Sequence, residues 1–230
     1  MREIVLDTET TGMDPEKGDR VIEIGCVALD NHIPNGQTLQ LYINPERPIP
    51  PEATAVHGIT DAFVKDKPVF AEVFDEFLGF IGDGKLVIHN AEFDMKFINW
   101  ELKQVGHPPI PWTRVTDTLT MARQKFPGSP ANLDALCRRF NIDNTARTYH
   151  GALLDSELLS EVYLELLGGR QHGLVLGGEE KIAQQNIGAV KVARNFREPR
   201  KFQASAEELA AHEAMTGSLS GAIWARHKAK

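Results

Sequence analysis

The opening stretch constrains this chain most: the apolar run Ile4-Val5-Leu6 leads directly into Asp7-Thr8-Glu9 and then Thr10-Thr11-Gly12. An apolar run bounded by turn chemistry at Thr11-Gly12 and Asp14-Pro15 predicts a short buried strand. Side chains alternate along a strand, so Asp7 and Glu9 share one face and Thr8 takes the other. Such a strand has to carry its two acids to an open end of the sheet, because neighbouring carboxylates repel unless water or a cation relieves them. Two arrangements satisfy this. Either the strand runs out into a solvated acidic turn, or a hard divalent ion such as Mg²⁺ sits on the carboxylate oxygens. The pair alone does not separate them.

The bulk properties narrow the class. A chain of 230 residues with 42% hydrophobic content has room for one generous domain, or one domain and a tail. No run approaches the roughly 18 apolar residues of a membrane span. The N-terminus lacks the charged-then-apolar pattern of a signal peptide. Cys26 and Cys137 sit among apolar neighbours without metal-type spacing, as buried thiols in a reducing compartment would, so a cytoplasmic location is expected. A formal charge of −7 argues against sequence-independent capture of nucleic acid, which uses a basic surface. It argues less against an enzyme acting on nucleic acid, since acidic metal sites add to the negative count.

Further along, Arg20–Leu29 reads as a second buried strand, Asn35-Gly36 as a turn, and Gln37–Ile43 as a half-exposed strand, together an antiparallel meander. A proline-rich loop follows. From Pro68 the period lengthens: Phe70, Val73, Phe74, Phe77, Leu78 and Ile81 predict an amphipathic helix stopped by Gly82 and Gly84. Leu86-Val87-Ile88 is a short strand, Phe93–Val105 a helix, Arg114–Thr118 a strand, and Leu133–Phe140 and Ala152–Leu167 helices. Strands first, then strand and helix in alternation, predict an α/β domain with a mixed central sheet and helices on both faces. At Gly168-Gly169 the periodicity fails and linker composition begins. Ser205-Ala206-Glu207-Glu208 fits a capping box that opens a helix through Met215, stopped at Gly217.

Two later segments bear on the acids. His89-Asn90-Ala91-Glu92-Phe93-Asp94 follows a strand and opens a helix, which puts Asp94 in a first turn at the carboxyl end of a strand. His150-Gly151-Ala152-Leu153-Leu154-Asp155 opens the last long helix. Five residues at about 100° each leave His150 and Asp155 roughly 140° apart if both are helical. His150 is therefore expected just before the helix, bending back over the site, with Asp155 projecting from the second turn. Asp7, Glu9, Asp94 and Asp155 converging on strand ends could hold two divalent cations, and a His with a reference pKa near 6.5 suits a general base. The chemistry implied is phosphodiester hydrolysis.

Asp7-Thr8-Glu9, the Asn90–Asp94 segment and His150-x-x-x-x-Asp155 resemble, in order and rough spacing, the three motifs of the DEDDh 3′–5′ exonucleases. The resemblance implies a ribonuclease H-like fold with a mixed five-stranded sheet. It also implies two cations, Mg²⁺ or Mn²⁺, held by Asp7, Glu9, Asp94 and Asp155, and His150 as the base. Relatives that use a Tyr base carry it four residues before the last Asp; position 151 is Gly here, so the His class fits. Pro51–Thr60 is similar to the family's nucleotide-lining loop. It assigns Glu52 and His57, with Asp7, Glu9 and Asp155, to a single-stranded or frayed DNA 3′ end. Thr11-Gly12 is similar to the turn beside the terminal nucleotide.

The tail points to the proofreading branch of that family. Gln171-His172-Gly173-Leu174-Val175-Leu176 resembles the peptide that docks on the bacterial sliding clamp, and Glu207–Ala214 with Trp224 resembles a segment that binds the alpha subunit of DNA polymerase III. Leu209, Met215, Leu219, Ile223 and Trp224 are costly to expose without a surface to pack on. The organisation expected is an exonuclease domain at 1–167, a linker at 168–204 that includes the basic run Lys191–Lys201, and a polymerase-binding tail at 205–230. An RNA-trimming exonuclease of the same fold and a mainly structural polymerase adapter remain as alternatives.

Overall fold

The computed structural model describes residues 1–145, 147, 149–169 and 204–218. Strands β1 (Arg2–Thr10), β2 (Val21–Asp30) and β3 (Ile33–Tyr42) form the antiparallel meander. Strands β4 (Lys85–Ile88) and β5 (Val115–Asp117) then add in parallel to β1, giving the sheet order β3-β2-β1-β4-β5. The mixed five-stranded sheet is as the sequence implies, and the buried centre is β1.

Alternation along β1 sorts the core into two layers. Ile4 and Leu6 face helices α3 (Phe70–Ile81) and α4 (Ala91–Gln104), packing with Phe70, Phe77 and Phe97. Val5 faces the opposite layer, with α5 (Thr118–Lys125), α6 (Leu133–Phe140) and α7 (Ala152–Leu166), against Leu136, Leu159 and Val162. Every one of these side chains is fully or almost fully buried. At roughly 1.5–3 kcal/mol each, this double-sided burial is what holds β1 rigid. Two short helices, α1 (Pro51–His57) and α2 (Asp61–Val64), lie within the proline-rich stretch.

The hairpin turn is not at Asn35-Gly36. It falls at Asn31-His32, both with positive φ (51° and 69°), between paired Asp30 and Ile33. The N-terminal ammonium donates to Asn31 Oδ1 at 2.7 Å, and His32 Nδ1 lies 2.6 Å from buried Glu3 Oε2, so side chains anchor the earlier turn. Asn35-Gly36 instead forms an irregular step where the β2–β3 register shifts, and Asn35 Oδ1 accepts the Gln37 N–H. Asn-Gly supplies the same local conformation to a bulge as to a turn, which is why the dipeptide misleads.

In the C-terminal region the described residues form α8 (Ala206–Ser218). Ser205 and Glu208 exchange the two hydrogen bonds of the expected capping box, at 2.8 and 3.2 Å. The helix runs through Gly217 rather than stopping there; Thr216 and Ser218 hydroxyls donate back to carbonyls of the last turn. The clamp-type peptide Gln171–Leu176, the basic run and Trp224 lie outside the described residues. No helix among the described residues is long and apolar enough to cross a membrane.

Candidate active site

The site forms where β1 and β4, running parallel, end side by side. Asp7 and Glu9 project from β1 towards the α7 layer, on the face of Val5. Thr8 projects to the other side and donates to Asp94 Oδ1 at 2.7 Å. Asp94 reaches this point because Asn90, in a left-handed conformation (φ 61°), turns the chain sharply from β4 into α4. The turn is tied down by the Asn90 N–H, which donates to Asp117 at the end of β5.

Asp155 arrives from the opposite layer on α7. The start of α7 approaches β2 so closely that a Cβ at Gly25 would lie 2.2 Å from backbone atoms of Ala152 and Leu153. Ser156 Oγ donates to the Gly25 carbonyl at 2.9 Å, and the Ala152 N–H donates to the buried carboxylate of Glu23 at 3.2 Å. Asp155 belongs to the first turn of α7 rather than the second, with its N–H bonded to the Gly151 carbonyl. His150 precedes the helix, as its spacing predicts. Its N–H donates to the Val56 carbonyl on α1 at 3.1 Å, and its side chain is about half exposed (48%).

Asp7, Glu9, Asp94, Asp155 and His150 all line one cavity of about 370 Å³. Glu9, Asp94 and Asp155 are buried. Burial, with the nearby Asp155 and Glu23, pushes Glu9 from its ordinary 4.5 up to about 8. Burial raises Asp94 to about 7 against the opposing hydrogen bond from Thr8. Asp7 is pushed well above the carboxylate range by burial and then by Asp94, Glu9 and Asp155. One ligand atom each from Glu9, His150 and Asp155 lies within 4.8 Å of the others. Crowded carboxylates that resist losing their protons are a donor set in want of positive charge, and their oxygens suit hard divalent cations. The residues present fit such ions.

A second cavity of about 500 Å³ adjoins the first, sharing Thr8, Glu9 and Phe93. Thr10, Thr11, Gly12, Glu52 and His57 line it. Glu52 is exposed on the first turn of α1, and His57, the last residue of that helix, is buried. Burial lowers the His57 pKa, so the ring is neutral at pH 7. Its Nδ1 accepts the Ile59 N–H at 3.0 Å, which leaves the ring proton on Nε2. Buried Nε2 has no hydrogen-bond partner among the described residues, an N–H held ready for an acceptor entering the cavity.

One residue in the first cavity escaped sequence reasoning. Arg147 donates from Nε and Nη2 to the two oxygens of Asp155, both at 2.6 Å, and from Nη1 to Asp134 at 2.8 Å. Its Nη2 also lies 2.7 Å from His150 Nδ1. A guanidinium cannot accept, so the neutral His150 ring takes that bond at Nδ1 and carries its proton on Nε2. No motif announces Arg147. The available signal was only that a buried acid needs a partner, and Asp155 was already assigned one. His89, whose Nδ1 lies 2.9 Å from Thr118 Oγ1, also lines the cavity.

Comparison with known proteins follows the same lines. The family model described as Exonuclease matches residues 4–163. The DNA polymerase III subunit epsilon of Rickettsia conorii is 54% identical over 174 residues, which is 74% of this chain and 76% of that protein. The Escherichia coli K12 protein of the same name is 46% identical over 225 residues, covering 93% and 91%. Among solved structures, Exonuclease X in complex with 5′ overhanging duplex DNA aligns with a TM-score of 0.57 at 26% identity, over 71% of this chain and 90% of that one. The nuclease domain of 3′hExo, a DEDDh family member bound to rAMP, aligns with a TM-score of 0.63 at 21% identity, over 79% and 97%.

Proposed function

Because this chain belongs to the exonuclease family, we propose that it is the epsilon-type proofreading subunit of DNA polymerase III, removing mispaired nucleotides from the 3′ end of DNA. The observation that carries the reading is a single cavity into which both helical layers of the fold deliver acids, Asp94 from one and Asp155 from the other, to meet Asp7 and Glu9.

Asp7, Glu9, Asp94 and Asp155 would hold divalent cations, Mg²⁺ or Mn²⁺. When bound, such ions supply an activated water and neutralise charge on the leaving oxygen. The chain's own residues do the rest. Glu9, common to both cavities, joins the terminal nucleotide's place to the site of cleavage. His57 offers its Nε2–H, and Glu52 an acceptor from the cavity rim, to that nucleotide's polar edge. The loop Thr10–Gly12 forms its floor. Sequence preference is slight, since the stability of the terminal base pair does the selecting: a frayed, mispaired end enters more readily than a paired one.

His150 is the general base. With Nδ1 taken by Arg147, the ring proton sits on the nitrogen that would otherwise accept. For Nε2 to act, Nδ1 must part from Arg147 and take a proton from solvent while Nε2 gives its own up to solvent, so that the ring stays neutral as the other tautomer. Nη2 has a second hydrogen on Asp155, so this release leaves the Asp155 pair intact. A half-exposed side chain on a loop has the freedom for that motion.

The tail gives the polymerase context. Residues 205–230 would bind the alpha subunit, 168–204 would act as the linker, and Gln171–Leu176 would dock on the sliding clamp. The test is digestion of a 3′-mispaired primer by the full chain with Mg²⁺ or Mn²⁺, with and without chelator. Release of nucleoside 5′-monophosphates that stops with chelator is expected, as is loss of cleavage in Asp7→Ala and His150→Ala. Undiminished activity in either variant would refute the mechanism.

A further inference from the structure

Among the described residues, Arg147 is the one strong cation lining a cavity built for cations. Its side chain is 8% exposed, so it is no surface residue leaning in. Two roles are open to such a group. It could be a competitor that occupies the acids and has to leave before an ion enters. Alternatively it could be a brace that sets Asp155 in the orientation an ion needs.

The geometry separates these. Nε and Nη2 grip both oxygens of Asp155 along one edge of the carboxylate, the parallel-fork arrangement that fixes the plane of the acid as well as its place. A carboxylate has about four lone-pair sites, so this grip leaves the others free. With Arg147 in position, an Asp155 ligand atom still lies within 4.8 Å of ligand atoms of Glu9 and His150. Nη2 touches both Asp155 Oδ2 and His150 Nδ1, at 2.6 and 2.7 Å, so an ion that shares Asp155 with the guanidinium takes the lone pairs that the fork leaves free. The far end is anchored as well: Nη1 is paired with Asp134 on α6 at 2.8 Å. Departure would break both ion pairs of a nearly buried guanidinium, whereas staying requires only that His150 release Nη2.

We propose that Arg147 is a positioning residue of the metal site, a fixed guanidinium that orients Asp155 towards the bound cation and stays in place when the cation arrives. The inference rests on the exonuclease reading of the same cavity. Through Asp134, which lines the same cavity, it also links α6 to the site. Hydrogen-bonded partners behind metal ligands typically change affinity by 10–100-fold when removed.

The test is Mn²⁺ binding to the full chain, measured by electron paramagnetic resonance of the free ion and by calorimetry, with folding checked by circular dichroism. Arg147→Met should weaken Mn²⁺ binding by about 10–100-fold. Arg147→Lys should recover only part of the loss, because an ammonium is a point charge and cannot hold both oxygens in plane. Asp134→Asn, which frees the far end without touching a ligand, should weaken binding by a smaller factor and keeps the test open if Arg147→Met fails to fold. Unchanged or tighter Mn²⁺ binding in Arg147→Met, or in Asp134→Asn if that variant alone folds, would overturn the brace; tighter binding would make Arg147 a competitor. The underlying reading fails differently: wild-type chain would then bind no Mn²⁺ that Asp7→Asn abolishes.

Discussion

Asp7 is the acid on which the charges of all three others bear. It sits on the central strand, is pushed well above the carboxylate range by burial and by Asp94, Glu9 and Asp155, and lines the cavity between the two layers. Asp7→Asn keeps the shape and removes the charge. It should lower cleavage of a mispaired primer by at least about 10³-fold while leaving the circular dichroism spectrum unchanged. His150→Ala should cost about 10²–10⁴-fold in kcat with little change in KM, as expected for loss of a general base. The protonation of the acids has its own consequence. Glu9 titrates near 8 and Asp94 near 7 when folded, against ordinary values of 4.5 and 3.8. The folded, metal-free chain therefore holds protons that the unfolded chain has released, and stability falls as pH rises from about 4 to about 8. Thermal melts in chelator should show Tm declining across that window, and excess Mn²⁺ should flatten the decline. A Tm that rises with pH under chelator would contradict the crowding of these acids.

At the scale of elements, α3 was legible because its hydrophobic period is long and clean, and β1 because its apolar run ends in turn chemistry. The three acid-bearing motifs were legible because each falls at an element boundary. What the residues could not reveal was pairing across the chain. Arg147 meets Asp155 and Asp134 only after α6 and α7 have packed together, and nothing in its neighbours marks it. The hairpin turn was misplaced for a related reason. Asn31-His32 is stabilised by the N-terminus and Glu3, both distant in sequence, whereas Asn35-Gly36 carries the stronger local signal. Gly25 carried no signal either, yet the packing of α7 depends on it. Gly25→Ala would force a methyl into the Ala152–Leu153 backbone, where no rotamer change can make room. Destabilisation of about 1–3 kcal/mol is expected, together with loss of activity beyond what stability explains, because Asp155 and His150 shift with the helix. Chemical denaturation and primer digestion on the same preparation measure both.

For the whole molecule, the described body contains every group the proposed reaction uses, and the tail contains none. A chain truncated after residue 204 should digest a mispaired primer at close to the full rate but fail to co-purify with the polymerase alpha subunit. Retained co-purification would refute the role given to residues 205–230.

The acids come from both sides of the sheet: Thr8 reaches one layer to hold Asp94, while Asp7 and Glu9 look to Asp155 in the other. This makes the site a vernier for the assembled fold. Sliding α7 by one residue along β2 would carry Asp155 about 1.5 Å along the helix axis and about 100° around it, a displacement well beyond the roughly 0.5 Å and 10–20° that such a site tolerates. Only a chain with both layers seated in register can bring the four carboxylates together. Cation affinity should therefore report the alignment of the whole domain, and a layer that slips becomes inactive long before it unfolds.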